Sequence, residues 1–140
     1  MSAIVIDASV AVKWFLPELH AEAARRVLSG RRELLAPDLI WAEVGNVLWK
    51  KSSRAEISGE AARAILRDFR RFPLQTYTAG ALLDPAWDLA ERFRISVYDS
   101  LYLALAVNRD CKLVTADRQF YDALKREPFA SAVVWVEQVR

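Results

Sequence analysis

The sequence predicts an α/β domain with three layers, helices covering both faces of a mostly parallel sheet. Three observations carry that expectation. Short β-branched runs alternate along the whole chain with segments of helical period, the pattern of a parallel sheet joined by crossover helices. Two of the runs, Ala3-Ile4-Val5-Ile6 and Leu113-Val114-Thr115-Ala116, are closed by acids, Asp7 and Asp117, as buried strands are where they reach a polar edge. The stretch after Asp99, Ser100-Leu101-Tyr102-Leu103-Ala104-Leu105-Ala106-Val107, is apolar on nearly every side and reads as a helix buried in the middle of a fold.

The elements follow in order. A strand over residues 3–6 leads into a short helix over 8–16, stopped by Pro17. A second helix is expected over 18–29, with Ala21, Ala24, Val27 and Leu28 on one face and Gly30 as its stop. A strand over 34–36 precedes Pro37 and a helix over 38–51, which Asp38 is expected to cap. Ser58 caps the next helix, with Glu60 as favourable first-turn charge and Ala62, Ile65, Leu66 and Phe69 as the apolar stripe. A strand over 74–77, helices over 80–93 and 100–109, a strand over 113–115, a helix over 118–125 and a last strand over 133–136 complete the pattern.

The chain has 140 residues, 54% of them apolar, enough for a real core within a single domain covering residues 1–140. Twenty basic and 18 acidic side chains leave a net charge of +2, too balanced to announce nucleic-acid binding by itself. Cys111 is the only cysteine, so no internal disulfide is expected, and the residue reads as a small apolar packing group. No apolar run approaches the ~20 residues of a membrane span, and a soluble cytoplasmic protein is expected, with no membrane partner.

Chemistry is expected from Asp7, Glu43, Asp99 and Asp117. The strand ends that present Asp7 and Asp117 belong to the edge where open α/β sheets bind ligands. Glu43 lies three residues from Ile40 and four from Val47, on the inward face of its helix, with Asn46 beside it. Asp99 stands at the start of the buried helix. Asp7, Asp99 and Asp117 each have a plainer reading as helix N-caps. Gathered together, however, carboxylates repel and are costly to bury unless a cation joins them. Mg²⁺ or Mn²⁺ suits an all-oxygen donor set, whereas no His/Cys cluster offers a zinc site. His20 reads as a solvated residue on a surface helix, and Asp122, about a turn beyond Asp117, as a rim candidate.

Four blocks of residues carry a family resemblance: Val5-Ile6-Asp7-Ala8-Ser9-Val10-Ala11-Val12-Lys13-Trp14-Phe15, Glu43-Val44-Gly45-Asn46-Val47-Leu48, Ser96-Val97-Tyr98-Asp99-Ser100-Leu101-Tyr102-Leu103-Ala104-Leu105-Ala106, and Thr115-Ala116-Asp117. In this order and spacing the chain resembles the PIN-domain ribonucleases, and within them the VapC-type toxins. The resemblance implies a five-stranded parallel sheet and a Mg²⁺- or Mn²⁺-dependent endoribonuclease. It places the family's acidic quartet on Asp7, Glu43, Asp99 and Asp117, with Asp7 and Asp99 as the most direct metal ligands and Ser9 and Thr115 as hydroxyls beside them. It also implies a VapB-type antitoxin partner and a homodimer.

Outside the quartet, Lys13 and Arg118 are the candidates for phosphate contact, being near Asp7 and Asp117 in sequence. Arg63, Arg67, Arg70 and Arg71 form a basic stripe, and Lys50, Lys51 and Arg54 a second cluster; each is a solvated face or a track for RNA phosphates. Trp14, Phe15, Trp41 and Trp49 load the first helices with aromatics, as core or as a groove for a partner helix or a second copy. Two other functions remain open: a non-catalytic RNA- or protein-binding module of the same fold, and a receiver-like phosphotransfer domain. The latter leaves Glu43 unexplained and calls for a lysine after a late strand, where this chain runs into Glu137.

Overall fold

The computed structural model describes residues 2–125, 128 and 130–139. Strand β1 (Ser2–Ile6) lies at the centre of the sheet, with β2 (Arg32–Pro37) on one side and β4 (Lys112–Thr115) on the other. Outside these lie β3 (Leu74–Tyr77), beside β2, and β5 (Val133–Trp135), beside β4. Every pairing is parallel, and the order is β3-β2-β1-β4-β5. The chain winds outward from β1 in both directions, so the β1/β4 boundary is the switch point at which open α/β sheets present a crevice. Register aligns Ile6 with Val114 there, and the acid after β1 and the acid after β4 emerge side by side.

Among the described residues seven α-helices join the strands: α1 (Ala8–Ala11), which continues as a 3₁₀ turn over Val12–Trp14, α2 (Ala21–Ser29), α3 (Leu39–Ser53), α4 (Gly59–Arg70), α5 (Ala79–Phe93), α6 (Val97–Asn108) and α7 (Arg118–Leu124). The three-layer α/β/α architecture is the one expected. Helix α6 lies across β2, β1 and β4 and packs on α5. Its residues Ser100 to Ala106 are all buried, which is why that segment is apolar all round. Helix α1 packs on α2 and on α3, and α3 packs on α4. Trp14 stacks on Phe72 with centroids 4.7 Å apart and donates its indole N–H to the Ala24 carbonyl, while Phe15 meets Phe69 and Phe72 edge-on. These two aromatics are therefore core, and Trp41 packs on Phe69. Trp49 is the exposed remainder, at 67%.

Several starts differ from expectation, each for a local reason. Helix α2 begins at Ala21 rather than at 18, because His20 is left-handed (φ 67°) and Glu18 is drawn into ion pairs with Lys13 and Lys51. His20 is accordingly no solvated helix residue: it is half-buried, faces Glu137 at 3.4 Å and sits edge-on to Trp135. Helix α6 begins three residues earlier than expected, because Ser96 caps it, its hydroxyl accepting from the Asp99 N–H at 3.0 Å. Asp38 occupies the N-cap position of α3 but makes no side-chain cap there; its carboxylate accepts instead from the Ala79 N–H, 3.0 Å away at the start of α5.

Candidate active site

Asp7 follows β1 as the N-cap of α1, accepting from the Val10 N–H at 3.2 Å. A cap is normally solvated, but this one is only 6% exposed. Its Oδ1 also accepts from the Ser9 hydroxyl and its Oδ2 from the Thr115 hydroxyl, each at 2.5 Å. Both hydroxyls are themselves held, since Ser9 Oγ accepts from the Ala116 N–H and Thr115 Oγ1 from the Asp117 N–H, each at 3.0 Å. The β1/β4 edge is thus a closed hydrogen-bond net that fixes the Asp7 carboxylate in one orientation. An ionised carboxylate has about four acceptor positions; three are taken, and one is left to face the site.

Asp117 is the N-cap of α7 and accepts from the Phe120 N–H at 3.2 Å. Asp99 stands in the first turn of α6, as the third residue after its cap, and is not itself the cap. There the unpaired N–H groups of the helix start favour its charge. Glu43 lies in the second turn of α3, half-buried, and its Oε1 accepts from the Tyr102 hydroxyl at 2.6 Å. Asp99 and Asp117 face one cleft of about 260 Å³, lined also by Arg94, Ile95, Ser96 and Gln119.

The electrostatics tie the four acids together. Burial pushes Asp7 up to about 7, against the pull of its bonds to Ser9, Thr115 and Val10, and the Asp99 charge adds to the rise. Asp99 is pushed up to about 6, first by burial and then by the charges of Asp117 and Glu43. No ion pair among the described residues reaches any of the four. Carboxylates that raise one another's pKa without a cationic side chain are short of positive charge. Among the described residues no three of His, Cys, Asp and Glu stand close enough to enclose an ion by themselves. What suits a hard cation is the chemistry of the donors, all of them carboxylate oxygens, of which Mg²⁺ takes one or two with water completing its shell.

The other candidates are distributed around this edge. Asn46 is exposed on α3, one turn beyond Glu43. Lys13 is engaged by Glu18 at 3.6 Å. The Arg118 guanidinium lies over the Trp135 ring at 3.9 Å, immediately after Asp117. Asp122 pairs with Lys125 at 2.9 Å rather than serving the site. Two residues went unnoticed in the sequence. Tyr102 was hidden in an apolar run, and only its spacing of three from Asp99 hinted at a shared face. Arg94 ends α5 in a left-handed conformation (φ 57°) and lines the acidic cleft; nothing in the sequence marked it.

Comparison with known proteins agrees with this geometry. The model of the PIN domain family matches residues 4–125. Ribonuclease VapC3 of Pyrobaculum aerophilum is 36% identical over 118 residues, covering 83% of this chain and 90% of that protein. A crystal structure from Pyrobaculum aerophilum superposes with a TM-score of 0.69 at 23% identity, over 97% of this chain and 92% of the other. A toxin–antitoxin complex from Klebsiella pneumoniae gives a TM-score of 0.62 at 13% identity, over 97% and 99% of the two chains.

Proposed function

The chain belongs to the PIN-domain family, and from that premise we propose that it is a divalent-metal-dependent endoribonuclease acting as the toxin of a toxin–antitoxin pair. The observation that carries the reading is the electrostatic coupling of Asp7, Glu43 and Asp117 to Asp99, with Asp7 and Asp99 both pushed well above the usual carboxylate range and no ion pair to any of the four among the described residues.

Asp7 and Asp99 would hold Mg²⁺ or Mn²⁺, with Glu43 and Asp117 orienting water or supporting a second ion. When bound, such an ion lowers the pKa of water and offsets the charge that builds on a phosphate in the transition state. The protein's own part is orientation. Ser9 and Thr115 keep the Asp7 oxygens fixed, so that little reorganisation is left for the reaction. Arg118, held over the Trp135 ring, and Arg94, on the cleft wall, supply positive charge for the RNA phosphates on either side. Lys13 serves the same end more weakly because Glu18 competes for it. The cleft is open at a sheet edge, which suits single-stranded or looped RNA.

An antitoxin partner finds its surface on α3 and α4. Gly45, Leu48, Trp49, Ala62 and Leu66 line a groove of about 310 Å³, and Trp41, Ala42, Gly45 and Leu66 continue it into a second of about 580 Å³, with Arg63 and Arg70 at the rims. An apolar floor with a basic rim suits an amphipathic, acidic segment. Self-association fits a different face. Leu83 and Trp87, one turn apart on α5, and Tyr98 on α6 are all well exposed, and these replace the buried Trp14 and the half-buried Phe15 as the candidate contact between copies. Among the described residues no helix is long and apolar enough to cross a membrane.

The test is incubation of purified protein with structured RNAs in Mn²⁺ and in EDTA, beside Asp7→Asn. Cleavage in Mn²⁺ that is lost in both controls is the expected result. Cutting that persists in EDTA or in the variant would overturn the metal mechanism, and no cutting of any RNA by the wild type would favour a binding module instead.

A further inference from the structure

Resting on the nuclease reading above, we infer that Tyr102 is a positioning residue, which sets the orientation of the Glu43 carboxylate through the hydrogen bond between α6 and α3. Tyr102 is 1% exposed and sits among Leu101, Leu103, Ala104, Leu105 and Ala106, all buried. Phenylalanine would fill that volume without a polar atom to satisfy. A buried hydroxyl is retained at a cost unless it is bonded, and this one donates to Glu43 Oε1 at 2.6 Å, from 59 residues away in sequence.

The bond does two things for the site. Glu43 has a long side chain and is only half-buried, so without a partner it would spread over several rotamers. Pinning Oε1 leaves Oε2 as the oxygen free of that bond. Tyr102 also lies three residues after Asp99, on the same face of α6, so the bond links the helix that carries Asp99 to the helix that carries Glu43. The donor is fixed as well: a phenol carries its proton at neutral pH, so Tyr102 gives the bond and Glu43 receives it. Groups that orient carboxylates around a cation in this way typically alter its affinity by about 10–100-fold.

The experiment measures Mn²⁺ affinity by titration calorimetry on the full-length wild type and on Tyr102→Phe, with apoprotein melting in EDTA and RNA cleavage alongside. The positioning role predicts that Tyr102→Phe binds Mn²⁺ on the order of 10-fold more weakly, with kcat lowered and the KM for RNA unchanged. Its effect should largely vanish in a Glu43→Gln background, because Tyr102 acts through that carboxylate. Should Tyr102→Phe melt too low to use, the same titration on both proteins at a temperature below its transition keeps the comparison. A Tyr102→Phe protein that loses only apoprotein stability, or whose effect adds in full to that of Glu43→Gln, overturns the role. A wild type that neither binds Mn²⁺ nor cuts RNA overturns the nuclease reading and the positioning role with it. A wild type that does both beside an unchanged Tyr102→Phe overturns the positioning role alone.

Discussion

Replacing Asp7 by Asn should stabilise the metal-free protein at high pH, although Asp7 is among the most heavily bonded side chains at the site. Burial raises its pKa from 3.8 to about 7. At about 1.4 kcal/mol per pH unit, ionising Asp7 in the folded apoprotein costs about 4 kcal/mol at pH 8 as an upper bound. Because the folded value is raised, the contribution of Asp7 to stability is fully present below pH 3.8, where folded and unfolded chains are both protonated. It is lost progressively as the pH climbs to about 7 and stays lost above that.

Asn has no charge to bury, but its amide nitrogen can accept from neither Ser9 nor Thr115. One hydroxyl must turn round, at about 1–2 kcal/mol. The net expectation is a gain of about 2–3 kcal/mol for Asp7→Asn at pH 8, or on the order of 5–10 °C in melting temperature for a domain of this size. At pH 4.5 the advantage should disappear or reverse slightly. The assay is urea denaturation followed by circular dichroism in EDTA at pH 4.5, 6 and 8. A variant no more stable than wild type at pH 8, or one whose difference from wild type is the same at all three pH values, would refute the account of Asp7 as a buried carboxylate lacking a cation.

Three further outcomes are expected. Millimolar Mn²⁺ should raise the melting temperature of the wild type at pH 8 by mass action, and Asp99→Asn should reduce that rise while leaving the circular dichroism spectrum unchanged; a melting curve indifferent to the ion in both proteins would count against the site. Asp38→Ala should cost about 1 kcal/mol in urea denaturation, since Asp38 caps α5 through Ala79, and protection from hydrogen exchange should fall at the start of α5 rather than of α3. Light scattering at micromolar concentration should give a homodimer, and Trp87→Glu should convert it to a monomer; a wild-type monomer would remove the proposed contact.

Much of this protein is local in origin, and those parts could be read directly from the chain. The strand over Leu74–Tyr77 has the limits expected of it, and Ser58 caps α4 as its position suggests, with the Ala61 N–H 3.0 Å from its hydroxyl. A period of two or of 3.6, a cap and a turn are set by residues within a few positions of one another, so the sequence by itself determined the order of elements and the parallel sheet that follows from their alternation. It also singled out the four acids as candidates, because a carboxylate after a buried strand or on an inward helix face is costly and so conspicuous.

The tertiary structure alone decided which atoms those acids meet. Ser9 and Thr115 lie 106 residues apart yet share Asp7, and Asp38 caps a helix 41 residues downstream of its own position. Tyr102 is indistinguishable in sequence from its apolar neighbours until α6 is laid against α3. Such partners are selected by sheet register and helix packing, which place a few polar atoms within 3 Å of one another only after the whole core has closed. No pattern confined to a few consecutive residues encodes that distance.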